Sequence, residues 1–274
     1  MNPLFQIQPP SIDCSKARLC LEISSQGLSY VISSNEIVLA LTIYNFNDRP
    51  TDQQAAEQIE QIITQQPFLQ QNFESVKIVY SYPTSVLLPQ ELFYSTDHKA
   101  MLELVFGNCS NHTIKSDFMQ QQAIHNIYCV PDVINQAITR YFTNAKHKHH
   151  FSLMPDLVSG QGNSLYCIFS PGQIKTMLKK EGKLQAVQLF TFKTPDDAAY
   201  YLLNLCQSFE VSVPNCELLL SGMITENSAL YKELIKYFNQ IRFDALPNQF
   251  QYPKEINHYP SHYFSHLFSV AACV

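Results

Sequence analysis

Residue types that carry out acid–base, nucleophilic or metal chemistry are present in this sequence, but few stand at working spacings. Asp196-Asp197 is a pair of adjacent carboxylates. It follows Thr194-Pro195 at the start of an apolar-periodic run, where negative charge meets the positive end of a helix. A helix N-terminus is its expected role. Tyr200-Tyr201 is expected to begin the buried side of that helix. Lys146-His-Lys-His-His150 gathers three histidines, but Lys146 and Lys148 repel a cation and no Cys or acid adjoins them, so a solvated loop is expected. His258, His262 and His266 step by four. Pro260 marks a first helical turn, which leaves His262 and His266 on one face. A zinc-protease helix needs Glu directly after its first His. Tyr263 stands there instead, so packing or capping is the expected use. The chain has no Gly-x-Ser-x-Gly, Walker loop or dinucleotide fingerprint. Its 7 Gly leave little material for loops that cradle phosphate.

Composition narrows the classes further. Of 274 residues, 46% are hydrophobic, enough for a sizeable core. Only 15% are charged, against about 25% in an average soluble domain. A net charge of −5 argues against a nucleic-acid partner held mainly through phosphates, and leaves protein and small-molecule partners open. The 8 Cys form no Cys-x-x-Cys pair, and several lie in apolar runs such as Tyr166-Cys167-Ile168. Buried free thiols in a reducing compartment are expected, and hence a cytoplasmic protein with no metal site. The first ten residues lack a basic stretch and an apolar stretch, so they do not read as a signal peptide. No apolar run approaches the ~18 residues of a membrane span.

The elements that must position these residues read as follows. Residues 1–17 form an extended lead-in. Leu19–Ile23, Leu28–Ser33 and Glu36–Tyr44 form a hairpin meander. Asp48-Arg-Pro-Thr51 starts a helix with Thr51 as N-cap, and Ala55, Ile59, Ile62 and Ile63 fall at helical spacing. Val76–Tyr80 is a buried strand. Residues 97–130 read as an inserted β segment with strands at Leu102–Phe106, Thr113–Phe118 and Ala123–Val130. Pro131 opens a helix to about Phe142, and His149–Leu153 reads as a strand. Pro155–Gly162 is the linker. Ser164–Phe169, Gln173–Lys179 and Leu184–Phe192 then repeat the meander. A helix from Pro195, a strand at Glu217 and a helix around Ser228–Phe238 follow. Ile241–Leu246 reads as a closing strand and Ser261–Val274 as a terminal helix. Meander, helix, strand thus occurs twice, roughly 145 residues apart, as a duplication of one βββαβα domain would produce.

Several strings sharpen this. They are Leu189-Phe-x-Phe192-x-Thr194-x-x-Asp197-x-x-Tyr200-Tyr201, Glu217-Leu-Leu-Leu-Ser-Gly222, Leu230-Tyr-Lys-Glu-Leu234-x-x-Tyr237 and His262-Tyr-Phe-Ser-His-Leu-Phe268. Together they resemble the bacterial domain of unknown function 3822 family, which is grouped with the actin-like ATPases and is distantly similar to pilus-assembly actin-like proteins. The resemblance implies an α/β fold of two actin-like (ribonuclease H-like) halves, each a mixed β-sheet with helices, with a cleft between them. The order of elements puts the first half at 12–158 with the insertion near 97–130, and the second at 159–250. The resemblance implies that 251–274 packs back on the first half.

An actin-like ATPase carries an Asp-x-Gly turn after the first strand of each half. The Asp holds a metal-bound water, and the Gly lets backbone N–H groups reach phosphate. Here the first turn reads Glu22-Ile-Ser24-Ser25-Gln-Gly27, with Glu22 the only acid near it. The second reads Phe169-Ser-Pro171-Gly172 with none. Ser221-Gly222 stands where the resemblance puts the adenosine-side turn, but Met223 replaces its second Gly. The expectation is a non-catalytic protein without cofactor that acts through protein contacts. The alternative is a nucleotide-binding protein or weak ATPase, with ATP and Mg²⁺ near Glu22, Ser24, Ser25, Ser221 and Gly222.

Overall fold

The computed structural model describes residues 1–46 and 50–273. Asp48 and Arg49 of the expected helix start, and Val274 of the expected terminal helix, lie outside the described residues. The chain divides into two compact units, Met1–Ser152 with Gln249–Ile256, and Leu153–Asn248 with Asn257–Val274.

The first unit opens with β1 (Phe5–Ile7), which falls within the expected lead-in and pairs with the end of the meander. The meander is β2 (Arg18–Ser24), β3 (Gly27–Ser34) and β4 (Ile37–Asn45). α1 (Asp52–Gln65) starts at Thr51, whose hydroxyl accepts the Gln54 N–H at 3.3 Å while the Gln54 side chain accepts the Thr51 N–H at 2.9 Å. This reciprocal box satisfies two otherwise orphaned donors. β5 (Ser75–Ser81) follows, then the insertion: β6 (Ser85–Pro89), α2 (Gln90–Phe93), α3 (His98–Phe106), β7 (His112–Met119) and β8 (Ile124–Pro131). α4 (Asp132–Tyr141), β9 (Lys146–His149) and the start of α5 (His150–Leu157) complete the unit. Ile59, Ile62 and Ile63 of α1 and Ile134 and Ile138 of α4 bury against Leu19, Leu21, Ile23, Ile78 and Tyr80 of the sheet.

Three expectations need correction here. Leu102–Phe106 is the end of helix α3, because Asp97 accepts the N–H groups of Lys99 and Ala100 and caps a helix there. The histidine tract is not a solvated loop: it is strand β9 running into α5, with His149 and His150 both fully buried. The segment after His149 is accordingly helix and not strand, and the boundary between units falls at Ser152/Leu153 inside α5. The buried Lys179 donates its ammonium to the carbonyls of Pro155 and Val158, satisfying orphan acceptors at the end of α5.

The second unit contains β10 (Ser164–Ser170), β11 (Gln173–Lys180), β12 (Lys183–Thr191), α6 (Pro195–Ser208), β13 (Glu217–Gly222), α7 (Ala229–Leu234), β14 (Gln240–Phe243) and α8 (Ser265–Ala272). The Thr194–Asp197 capping box is formed, with Asp197 accepting the Lys193 and Thr194 N–H groups at 3.0 Å each. Tyr201 stacks on Phe190, but Tyr200 is 64% exposed, contrary to its expected place in the core. The terminal helix was expected on the first half; it groups with the second unit and packs on β13.

The duplication is explicit in the sheets. One runs β4-β3-β2-β5-β9 with β1 added at its edge; the other runs β12-β11-β10-β13-β14. Each has two antiparallel pairings followed by two parallel ones. Even the irregularity repeats. Register shifts after Ile32 in the β3–β4 pair and after Leu178, 146 positions later, in the β11–β12 pair.

Candidate functional site

Glu22, Ser24 and Ser25 lie together on β2 and its turn, in the first unit. Ser24 closes that turn on itself. Its oxygen accepts the Gln26 N–H at 3.1 Å and its hydroxyl reaches the Gly27 carbonyl at 3.4 Å. Ser25 sits at the exposed tip. Glu22 is 8% exposed, and its Oε1 lies 3.0 Å from Nδ1 of His150, the first residue of α5. The imidazole donates and the carboxylate accepts, so the acid nearest the turn ties β2 to a buried histidine.

Ser221 and Gly222 end β13, in the second unit. Ser221 is fully buried. Its Oγ lies 2.8 Å from Ser265 Oγ, 3.1 Å from His266 Nδ1 and 3.1 Å from the His262 carbonyl. Gly222 has φ +81°, and a Cβ there would stand 2.2 Å from the Phe169 carbonyl oxygen. The residue must be glycine for β13 to lie beside β10. His262 donates from Nε2 to the Ile224 carbonyl at 2.7 Å and lies against Phe243; burial pulls its pKa down. His262 and His266 thus fasten the terminal segment to β13, as the packing expectation held. Tyr166 closes the same region by donating to Asp244 at 3.1 Å. Among the described residues no three His, Cys, Asp or Glu side chains group as metal ligands would. All of the cysteines are free thiols, and only Cys273 is not buried.

The model of one protein family, a protein of unknown function (DUF3822), matches residues 11–241. The chain belongs to the DUF3822 family. A protein of Bacteroides thetaiotaomicron VPI-5482, described as having an actin-like ATPase fold and unknown function, superposes on this DUF3822 chain with a TM-score of 0.79. It is 16% identical, over 95% of this chain and 97% of that one. A PilM–PilN type IV pilus biogenesis complex matches with a TM-score of 0.63 at 11% identity, over 95% and 98%. The ethanolamine utilization protein EutJ of Carboxydothermus hydrogenoformans gives 0.50 at 8% identity, over 98% and 91%. At these identities the likeness is one of fold. No curated protein matches the sequence significantly.

The DUF3822 chain also carries a polar network that its sequence did not announce. Asp117 on β7 is 4% exposed. It accepts the His149 backbone N–H at 2.6 Å and the Ser152 hydroxyl at 2.7 Å, with Lys148 at 3.8 Å. Burial pushes its carboxyl up, and these donors pull it back. Asn126 donates to Ser152 at 2.9 Å and accepts from Ser85. His149 approaches the Tyr82 carbonyl through Nε2 at 3.0 Å and accepts the Phe151 N–H through Nδ1 at 3.2 Å, which fixes the Nε2–H tautomer. Asp, His and Ser are therefore neighbours here without forming a nucleophilic triad. Ser152 bonds directly to Asp117, and the His149 ring is turned to backbone. What the network does is hold the insertion, β9 and the start of α5 together. The available signal was strand alternation, which puts Lys115, Asp117 and Met119 on one face of β7.

Proposed function

We propose that this chain is a cytoplasmic actin-like protein that acts by binding other proteins and does not turn over nucleotide. The observation that carries this reading is the engagement of Glu22 by His150 at 3.0 Å in the interior of its unit. Hydrolysis in an actin-like fold calls for a carboxylate free to organise metal-bound water and for backbone donors close to the phosphoryl oxygens. Glu22 is the only acid by the first turn, and the second turn presents Pro171, which has no N–H to offer. The glycine of the adenosine-side position is explained by its contact with Phe169, and the Ser221 hydroxyl by the terminal segment. This donor set does not fit a metal–phosphate group. A protein partner is inferred by analogy with the PilM–PilN complex, which shares the fold. Among the described residues no helix is long and apolar enough to cross a membrane. Buried free thiols suit a reducing compartment.

A thermal-shift comparison of ATP, ADP and GTP, each with and without Mg²⁺, tests the reading. The expected result is no Mg²⁺-dependent rise in Tm. A rise that needs Mg²⁺ and vanishes in Glu22→Ala would show the carboxylate organising a metal, and would overturn the proposal.

A further inference from the structure

The insertion is a sheet ordered β6-β8-β7, so β6 and β7 are both edge strands among the described residues. Edge strands are templates for further pairing unless something blunts them. β6 is short and ends in Pro89, which cannot donate to a ladder. β7 is eight residues long, His112-Thr-Ile-Lys-Ser-Asp-Phe-Met119, with no Pro or Gly. Its lysine is no guard, because Lys115 is half-buried with its ammonium over the Tyr80 ring, 5.9 Å from the centroid. Exposed apolar side chains concentrate in the same insertion. Tyr94 is 87% exposed, Leu104 83%, Val105 57%, and Phe106 and Phe118 43% each.

We propose that β7 pairs antiparallel with β7 of a second copy of this chain about a two-fold axis at Ser116. The strand is self-complementary in that register. On the face of β7 that carries Phe118, Ile114 comes opposite Phe118′, an aromatic–β-branched pair of the kind that stabilises sheets. On the other face, Lys115 comes opposite Asp117′. Moving the axis by one residue destroys the match. An axis at Lys115 sets Lys115 against Lys115′, and one at Asp117 sets Asp117 against Asp117′; like charges directly opposite are destabilising. A two-fold axis also gives a closed, isologous interface, so pairing stops at a dimer. The proposal goes beyond the function inferred above and is measured without nucleotide or any other protein.

Sedimentation velocity of the full chain from low to high micromolar concentration is the test, with a disulfide trap at the axis. A monomer–dimer equilibrium is expected, shifted to monomer by Phe118→Asp. Ser116→Cys should give a covalent dimer on mild oxidation, because directly opposite residues bring their Cα atoms to about 4.5–5.5 Å, within disulfide reach. Ser208→Cys, exposed on α6 of the second unit, and the unsubstituted chain give the background. Ser116 is exposed, so its substitution leaves the fold intact even where Phe118→Asp does not. A chain that stays monomeric throughout overturns the proposal. So does a dimer that survives Phe118→Asp and fails to cross-link through residue 116.

Discussion

Replacing Gly222 with Ala separates a structural glycine from a phosphate-binding one. Two costs combine. A non-glycine residue at φ +81° is strained by roughly 1–2 kcal/mol. The new methyl would also stand 2.2 Å from the Phe169 oxygen and 3.0 Å from its nitrogen, against the 3.4 Å or more of ordinary contact. β13 must move away from β10 by about 1 Å, which breaks the 2.8 Å bond from the Met223 N–H to the Phe169 carbonyl, worth about 1 kcal/mol. A loss of about 2–3 kcal/mol follows. Gly172→Ala is the control. It has a similar φ of +67° but only the Phe192 carbonyl at 3.5 Å, so it should lose roughly 1–2 kcal/mol. Both glycines lie in the second unit, so the comparison holds even if the units unfold separately. Urea unfolding with unchanged m-values measures both. Equal losses in the two variants would refute the reasoning.

Two further outcomes are expected. Phe268 is fully buried in α8, so Phe268→Ala should cost about 3–5 kcal/mol; a urea midpoint shift equivalent to under about 1 kcal/mol would mean that the terminal helix is loosely held. His147 stacks on Tyr80 at 5.7 Å, and burial lowers its pKa from 6.5 to about 4. The unfolded chain then binds more protons than the folded one between those values, so this contribution is present above about 6.5 and is lost as pH falls toward about 4. The full shift corresponds to about 3 kcal/mol, and partial exposure brings the expected loss to about 1–2 kcal/mol. His147→Phe keeps the stack and should flatten that part of the stability–pH profile; parallel profiles would contradict it.

What was legible in the sequence was what local chemistry dictates. The Thr51 cap, the helix start at Asp196-Asp197 and the two meanders depend on neighbours within a few residues, and they formed as read. The failures lie where long-range packing decides. Leu102–Phe106 has the composition of a strand, but Asp97 five positions earlier starts a helix that carries it. The lysines around His147 and His149 suggested solvent, yet pairing of β9 with β5 buries His149, and His150 beside it finds Glu22 128 residues away. Asp117 was invisible for the same reason, since its donors come from residues 32 and 35 positions further on. Glu22 lies on β2 with Ser24 and Ser25 at its end and turn, whereas Ser221-Gly222, read as a turn after the strand, are the last residues of β13. The engagements of these residues with histidine, serine and backbone could not be read from the string.

The most direct test of the central claim is steady-state phosphate release from ATP with Mg²⁺, run side by side on the unsubstituted chain and Glu22→Ala. The account predicts release at the buffer background for both. Turnover by the unsubstituted chain that disappears in Glu22→Ala would show that this carboxylate leaves His150 to organise the metal, and would contradict the account.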